Sequence, residues 1–265
     1  MTPRRAFPGA RVHMTDGVNP RLAAATMRTT NRSAAERAGC CASVALPIDH
    51  AALEGTLVVP EGAKGIVVFA HGSGSSRRSP RNQIVARRIQ AAGLGTLLFD
   101  LLTADEERRD AATGQWRFNI PLLADRLVLA ARWLADQPAA QRRGLGFFGA
   151  STGAAAAIVA AAMFGPQVQA VVSRGGRPDL AGPALSLLRA PTLLIVGSAD
   201  SEVLELNRSA SARLTCVHRL AIVPHATHLF EEPGTLEEVA DLAAGWFERH
   251  LAAAGSSSSR GSAGR

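Results

Sequence analysis

The chain has 265 residues, of which 47% are hydrophobic, enough to form one domain with a large core. Its formal net charge of +7 suggests a nucleic-acid partner, but the charge is unevenly distributed. Residues 1–39 contribute +5 and residues 252–265 contribute +2, so residues 40–251 are neutral. The basic character therefore belongs to the two ends, and we expect the domain to bind no nucleic acid.

The sequence contains three cysteines, Cys40, Cys41 and Cys216. An odd count with two adjacent residues fits neither a disulfide framework nor a zinc site. No apolar run approaches the length of a membrane span, so we expect no membrane partner. The N-terminal stretch also lacks the apolar segment of a secretory signal peptide. These features together predict a cytoplasmic protein.

Composition divides the chain into three parts. Residues 1–39 are rich in Arg, Thr and Ala without periodicity, which is typical of disorder. Two interpretations stay open for this part: a transit peptide, or an extension upstream of a later start at Met14 or Met27, which we favour. Residues 40–251 are expected to form one domain. Residues 252–265 form a Ser/Gly tail that we expect to be disordered.

Apolar segments in residues 40–251 predict a regular alternation of strands and helices. Residues 43–48 and 53–59 predict an antiparallel hairpin. The strand segments that follow it are 65–70, 96–99, 145–148, 168–173, 191–196 and 217–223. The helical segments are 80–92, 120–137, 154–163, 203–214 and 236–251. We expect a charged loop from Thr103 to Arg117.

This pattern predicts an α/β fold in three layers. The hairpin and the repeated strand–helix units indicate a doubly wound, mostly parallel sheet with an N-terminal antiparallel hairpin and helices on both faces. Functional sites in such sheets lie at the carboxyl ends of the strands. The residues considered below all follow predicted strands.

A Gly-x-Ser-x-Gly sequence, Gly149 to Gly153, lies between a predicted strand and an Ala-rich helix. This context is typical of a nucleophile elbow, in which a tight turn projects the serine oxygen away from the backbone. Gly149 and Gly153 lack a Cβ and so permit close backbone approach. The helix N-terminus behind Ser151 favours an oxyanion formed there. The alternative interpretation is a serine that caps a helix.

A serine nucleophile needs an acid and a histidine, in the chain order Ser, acid, His. Asp200 follows the strand at 191–196 and is our candidate for the acid. It also has the position of a helix N-cap, which is the alternative interpretation. Glu202 is the substitute candidate, and Asp179 in another loop is a weaker one.

Two histidines, His225 and His228, follow the last predicted strand. We prefer His228 as the base because it lies deeper in the loop, before an apolar pair that can anchor it. A His-x-x-His metal pair is the alternative, but the sequence has no accompanying ligand pattern of the metalloprotease type. We therefore expect no metal.

The loop His71-Gly72-Ser73-Gly74 follows the strand at 65–70 and predicts an oxyanion hole. One donor should be the backbone N–H of Thr152, directly after the nucleophile. The second should be the N–H of Ser73, with Gly74 as second choice. A phosphate-binding loop is the alternative, but the P-loop Lys and the dinucleotide spacing are both absent, so we expect no cofactor.

Four residues are candidates for substrate binding: His71, Gly74, Arg81 and Arg174. The two arginines lie in loops or helix ends expected at the rim of the site, where a guanidinium can bind a carboxylate or phosphate through two hydrogen bonds. The alternative is solvated surface arginine, which we favour for the rim arginines other than Arg174.

Taken together, four motifs resemble the α/β-hydrolase superfamily, and more closely its dienelactone-hydrolase-like branch. They are His71 to Gly74, Gly149 to Gly153, Gly197 to Asp200 and His225 to Phe230. The resemblance spans about residues 43–251 and implies the α/β-hydrolase fold with Ser151, Asp200 and His228 as a triad. Dienelactone hydrolases proper carry Cys at the elbow where this sequence carries Ser151, so the resemblance implies a serine ester hydrolase.

These observations predict a serine hydrolase that cleaves a small ester, lactone or thioester through an acyl-enzyme. The loop from Thr103 to Asn119 is expected to shape the acyl pocket. The alternative is a non-catalytic module that binds a ligand or a partner domain. The resemblance also includes domains that occur fused to phosphoribosyltransferases. It therefore implies a link between this chain and phosphorylated or nucleotide-like compounds, which the rim arginines would suit. The oligomeric state stays open.

Overall fold

One mixed β-sheet organises the chain in the computed structural model, which describes residues 28–29, 40–49 and 51–251. Its strands are β1 Arg28–Thr29, β2 Cys40–Ile48, β3 Ala51–Val59, β4 Gly65–Ala70, β5 Gly95–Phe99, β6 Gly144–Ala150, β7 Val168–Arg174, β8 Thr192–Gly197 and β9 His218–Val223. The expected disorder of residues 1–39 and 252–265 concerns residues outside this description, except for the two residues of β1.

The strand order is β1-β2-β3-β5-β4-β6-β7-β8-β9. The strands from β1 to β3 pair antiparallel, β3 pairs antiparallel with β5, and all pairs from β5 to β9 are parallel. The predicted N-terminal hairpin and mostly parallel sheet are therefore confirmed. The parallel arrangement brings the carboxyl ends of β4 to β9 to one edge of the sheet.

Helices cover both faces of this sheet. They are α1 Pro80–Ala91, α2 Ala104–Thr113, α3 Ile120–Ala135, α4 Thr152–Phe164, α5 Ala184–Leu187, α6 Ser201–Ser211 and α7 Thr235–His250. Helix α1 packs against α7 on one face, and α3 packs against α4 on the other. The predicted three layers are thus confirmed. No helix within residues 40–251, as far as they are described, is long and apolar enough to cross a membrane.

Strand β4 shows why the central strands have continuous apolar sequences. Ile66 and Val68 belong to the core cluster shared with α3 and α4, whereas Val67 and Phe69 belong to the cluster shared with α1 and α7. Successive side chains of a strand point to opposite faces, so a strand covered on both sides must be apolar throughout.

The expectation of a charged loop from Thr103 to Arg117 was wrong, because this stretch contains α2. The Thr103 hydroxyl accepts a hydrogen bond from the Glu106 N–H at 3.1 Å, and Glu106 accepts one from the Thr103 N–H at 2.7 Å. This reciprocal capping box satisfies donors that a helix start leaves free. Its Thr-x-x-Glu spacing was the sequence signal for the helix, but the many charges of the stretch concealed it.

Candidate active site

Ser151 lies in a strained turn between β6 and α4. Its backbone has φ 50° and ψ −123°, which is rare for a residue with a side chain and is typical of functional sites. A Cβ added to Gly149 would lie 2.4 Å from Ala154 Cα, and one added to Gly153 would lie 2.4 Å from Ala70 O. The turn therefore needs glycine at both positions.

Hydrogen bonds hold the main chain of this turn from both sides. The Ser151 N–H donates to Arg174 O at 3.2 Å, and Ser151 O accepts from the Arg177 N–H at 3.1 Å. The Arg177 guanidinium in turn binds both carboxylate oxygens of Asp179, at 2.9 and 2.8 Å. This pair raises the pKa of Arg177. Asp179, the weaker candidate for the triad acid, is thus engaged in holding the turn.

The structure joins Asp200 to His228. The His228 Nδ1 atom lies 2.7 Å from Asp200 Oδ2, and the carboxylate is largely buried. Asp200 begins α6, yet its side chain makes no capping hydrogen bond to the helix. A carboxylate at Nδ1 favours the tautomer that carries its proton there, which leaves Nε2 free to accept one. The substitute acid, Glu202, is exposed on α6.

His225 occupies a different position from His228. It is exposed, has a φ of 62°, and its backbone N–H donates to Ser198 Oγ at 2.8 Å. Its imidazole makes no hydrogen bond within the described residues. The geometry therefore pairs Asp200 with His228 and leaves His225 at the surface.

Ser151 and His228 lie on opposite sides of the end of β7. The backbone oxygen of Arg174, the last residue of β7, accepts the Ser151 N–H. A Cβ added to the next residue, Gly175, would lie 3.1 Å from His228 O, so the His228 backbone is close to the other side of this strand end. Ser151 Oγ makes no hydrogen bond to any described residue, His228 included. Such contacts are often loose before substrate binds.

The loop after β4 lies next to Ser151. A Cβ on Gly72 would lie 3.1 Å from Ser151 Cβ, so loop and nucleophile are neighbours. The Ser73 N–H, our first choice for an oxyanion donor, donates to Thr152 Oγ1 at 3.0 Å. Gly74, the second choice, has a φ of 68°, and its N–H makes no hydrogen bond among the residues described.

His71 ties the ends of β4 and β5 together. Its Nε2 accepts the Leu101 N–H at 3.0 Å, which assigns the proton to Nδ1, 3.0 Å from Gly72 O. Burial lowers the pKa of His71, against the opposing effect of the Gly72 hydrogen bond. Both ring nitrogens of His71 are therefore engaged in hydrogen bonds within the protein. The ring can line the site and pack against a substrate, but it has no free nitrogen to hydrogen-bond one.

A cavity of about 270 Å³ opens beside Thr152, the residue after Ser151. Four predicted site residues contribute to its lining: His71, Ser73, Gly74 and Thr152. The opposite wall comes from α2 and the segment after it, and includes Glu107, Asp110, Ala111 and Arg117. Sequence reasoning missed this wall because it missed α2, although it did expect the stretch to shape the acyl pocket.

Arg174 and Arg81, the two arginine candidates, lie close to one another. Burial, and then the positive charge of Arg81, lower the pKa of Arg174 to about 10. The guanidinium therefore stays charged at neutral pH. Arg81 lies at the start of α1, 3.6 Å from the exposed Glu231 carboxylate. Arg174 is thus buried rather than the solvated arginine of the alternative interpretation, and its backbone oxygen accepts the Ser151 N–H.

Two kinds of relatives resemble this arrangement in sequence or fold. A solved dienelactone hydrolase structure from Anabaena variabilis ATCC 29413 is 55% identical, covers 80% of this chain and 99% of its own, and has a TM-score of 0.79. Est1E from Butyrivibrio proteoclasticus shares the fold at 14% identity, with a TM-score of 0.66 over 78% of this chain and 98% of its own.

Two curated relatives from Mycobacterium tuberculosis, both named "Putative phosphoribosyl transferase", are 59% identical over 203 residues, which is 77% of this chain. The match covers 45% of their length, so the chain spans less than half of these relatives. The family model described as "Dienelactone hydrolase family" matches residues 53–252. The chain therefore belongs to the dienelactone hydrolase family and has the α/β-hydrolase fold.

Proposed function

We propose that this hydrolase cleaves a small ester, lactone or thioester with Ser151 as nucleophile, His228 as base and Asp200 as the orienting acid. The observation that carries the proposal is the 2.7 Å contact between His228 Nδ1 and Asp200 Oδ2, near a serine held in a strained turn. A carboxylate in this position fixes the histidine tautomer and stabilises the imidazolium that forms during reaction.

In the proposed reaction, His228 Nε2 takes the Ser151 hydroxyl proton while Ser151 Oγ attacks the substrate carbonyl carbon. The C–O or C–S bond to the leaving group then breaks, and the His228 proton passes to the departing oxygen or sulfur. A water molecule attacks the acyl-enzyme with His228 again as base. This second step releases the acid and restores Ser151.

The oxyanion formed in each step is proposed to accept hydrogen bonds from the Thr152 and Ser73 N–H groups. The Ser73 N–H has a neutral acceptor, Thr152 Oγ1, in the resting enzyme. An oxyanion is a stronger acceptor than a hydroxyl, so it can draw this N–H away as negative charge develops. Gly74 N–H, which has no partner in the described part of the chain, is the alternative donor.

The cavity beside Thr152 is proposed to hold one half of the substrate. Its volume of about 270 Å³ lies at the small end of ligand pockets, which suits a small acyl or alcohol group. Its lining mixes the aliphatic Leu101, Leu102 and Leu123 with carboxylates of α2. No step of this reaction needs a cofactor or a metal ion.

A second proposal is that the domain works beside a phosphoribosyltransferase-type domain, as a ligand- or partner-binding module. The observation behind it is that the two mycobacterial relatives are more than twice as long as the matched region. The Asp200–His228 pair argues against a purely binding role, because a binding module has no need of an oriented base.

Labelling with a fluorophosphonate probe tests the hydrolase proposal. We expect wild type to label rapidly and Ser151→Ala and His228→Ala to lose labelling. His225→Ala is the matched control, because His225 follows the same strand but lies at the surface, and it should label like wild type. Hydrolysis of a panel of small esters should follow the same order.

Absence of labelling in folded wild-type protein would overturn the catalytic proposal and favour the binding module. Labelling that survives His228→Ala but not His225→Ala would reassign the base.

A further inference from the structure

We infer that a second cavity, at the amino-terminal edge of the sheet, is a binding site for a small amphipathic anion with a carboxylate or phosphate head. This cavity has a volume of about 290 Å³ and lies between the end of α3, the end of α4 and the first residues of β6. Among the described residues, it shares none of its lining with the cavity beside Thr152. The inference therefore stands independently of the proposed reaction.

This second cavity is well separated from the nucleophile. It is lined by Gly144 and Leu145, where β6 begins, whereas Ser151 follows the last residue of the same strand. A strand rises about 3.3 Å per residue, so the seven residues of β6 span about 20 Å. A small ligand in the second cavity therefore lies far from the reacting atoms, and the cavity is a site of its own.

One part of the lining is apolar. Ile66 of β4 and Leu134 of α3 are buried core residues, and Leu145 and Phe164 are partly buried against the same core. A cavity of about 150 Å³ lined by such side chains holds benzene, so one of about 290 Å³ has room for about a dozen non-hydrogen atoms. This part of the cavity therefore fits a short hydrocarbon group.

Two adjacent arginines, Arg142 and Arg143, supply the charge of the lining. The Arg143 Nε atom is fully buried and has no hydrogen-bond partner among the described residues. No carboxylate in residues 40–49 and 51–251 lies within 4.0 Å of either guanidinium, and none lines the cavity. A buried donor of a charged group is costly to leave unpaired, so the cavity needs an acceptor that this part of the chain does not supply.

These two features together define the class of ligand. A wholly apolar molecule would leave the Arg143 Nε atom without an acceptor, and inorganic phosphate would leave the apolar part of the lining in contact with water. An anionic head on a short hydrocarbon tail satisfies both parts, because a guanidinium binds a carboxylate or phosphate through two parallel hydrogen bonds. The exposed side chains of Gln141 and Gln167 add neutral hydrogen-bonding groups to the same lining.

Octanoate, octylphosphonate and the neutral octanamide test the inference, with titration calorimetry of the full chain as the measurement. We expect at least one of the two anions to bind wild type about 10- to 100-fold more tightly than octanamide, because hydrogen bonds to charged groups contribute to this extent. Shortening the tail of that anion from eight to four carbons should weaken binding by about 10- to 100-fold, because each buried methylene strengthens it. The ratio of the two anions distinguishes a carboxylate site from a phosphate site.

Four variants locate the bound anion. Arg143→Gln should lower the affinity for the anions to that for octanamide. Arg142→Gly should lower it in part without adding backbone strain, because Arg142 has a φ of 62°, which glycine adopts readily. Ala135→Phe adds a ring to the lining and should weaken the binding of all three probes. Arg132→Gln is the matched control, because Arg132 is exposed on α3 and does not line the cavity, and it should bind like wild type.

Three results would overturn the inference: no binding of either anion to wild type at millimolar concentration, equal affinity for all three probes, or wild-type affinity in Arg143→Gln. Leu102→Phe narrows the other cavity, beside Thr152, and should leave the binding unchanged. Loss of binding in Leu102→Phe but not in Ala135→Phe would place the anion beside Thr152 and would also contradict the site. None of these measurements depends on hydrolysis, so failed fluorophosphonate labelling with intact anion binding would contradict the hydrolase proposal alone.

Discussion

Replacing Gly153 by alanine tests how closely the main chain packs behind the nucleophile. A Cβ at this position would lie 2.4 Å from Ala70 O and 2.5 Å from His71 O, and both are backbone atoms that cannot rotate away. Observed Cβ contacts rarely fall below 3.0 Å, so the elbow and the loop after β4 must separate by about half an ångström.

Overpacking of this kind costs about 1–3 kcal/mol of folding free energy. For a domain of about 200 residues, each kcal/mol lowers the melting temperature by about 2–4 °C, so we expect a decrease of about 2–12 °C. The same displacement would separate Ser151 from the proposed oxyanion donors. Because a misplacement of about 1 Å costs on the order of 100-fold in rate, labelling should slow by about 10-fold or more.

Thermal unfolding and the rate of fluorophosphonate labelling measure these two effects. Gly245→Ala is the matched control: it lies in α7, and nothing lies within 4 Å of the added Cβ. It should be as stable as wild type or gain up to about 1 kcal/mol from better helix propensity. A Gly153→Ala variant that melts and labels like wild type would refute the described packing.

Three further predictions concern substitutions at Thr152, Arg174 and His71. Thr152→Val should slow hydrolysis by about 10-fold or more, because the oxyanion loop loses its tie to the elbow, whereas Thr152→Ser should retain activity; equal rates would contradict the role of the hydroxyl. Arg174→Met should raise the free energy of unfolding by about 1 kcal/mol or more, because the buried Nε and Nη1 atoms of Arg174 have no hydrogen-bond partner in the described residues; chemical denaturation showing a loss of stability would contradict this reasoning. The lowered pKa of His71 means that folding favours its neutral form, so its stability contribution is present above pH 6.5 and is lost as pH falls from there through the folded-state pKa. Denaturation between about pH 7 and 5 should show a smaller pH dependence for His71→Gln than for wild type, and identical slopes would count against this assignment.

Local patterns in the sequence were enough to predict the elbow and most of the layers. The Gly149–Gly153 spacing between an apolar strand and an Ala-rich helix is a local signature. Each glycine is required because a Cβ there would collide with backbone atoms of the same turn or of the adjacent strand and its loop. Continuous apolar segments predicted the central strands, since both faces of the sheet are covered. The resemblance of four motifs led to the family that the comparisons show.

Contacts between distant segments were decided only by the tertiary structure. The sequence placed His225 and His228 after the same strand, and their distances to Asp200 depend on how the loop after β9 folds back on the end of β8. The Ser73 N–H meets Thr152 Oγ1 across 79 positions in the chain, which no local pattern reveals. The effect of the Arg81 charge on the pKa of Arg174 likewise depends on how the tertiary fold places α1 and β7, because charges interact through space and carry no periodic signal in sequence.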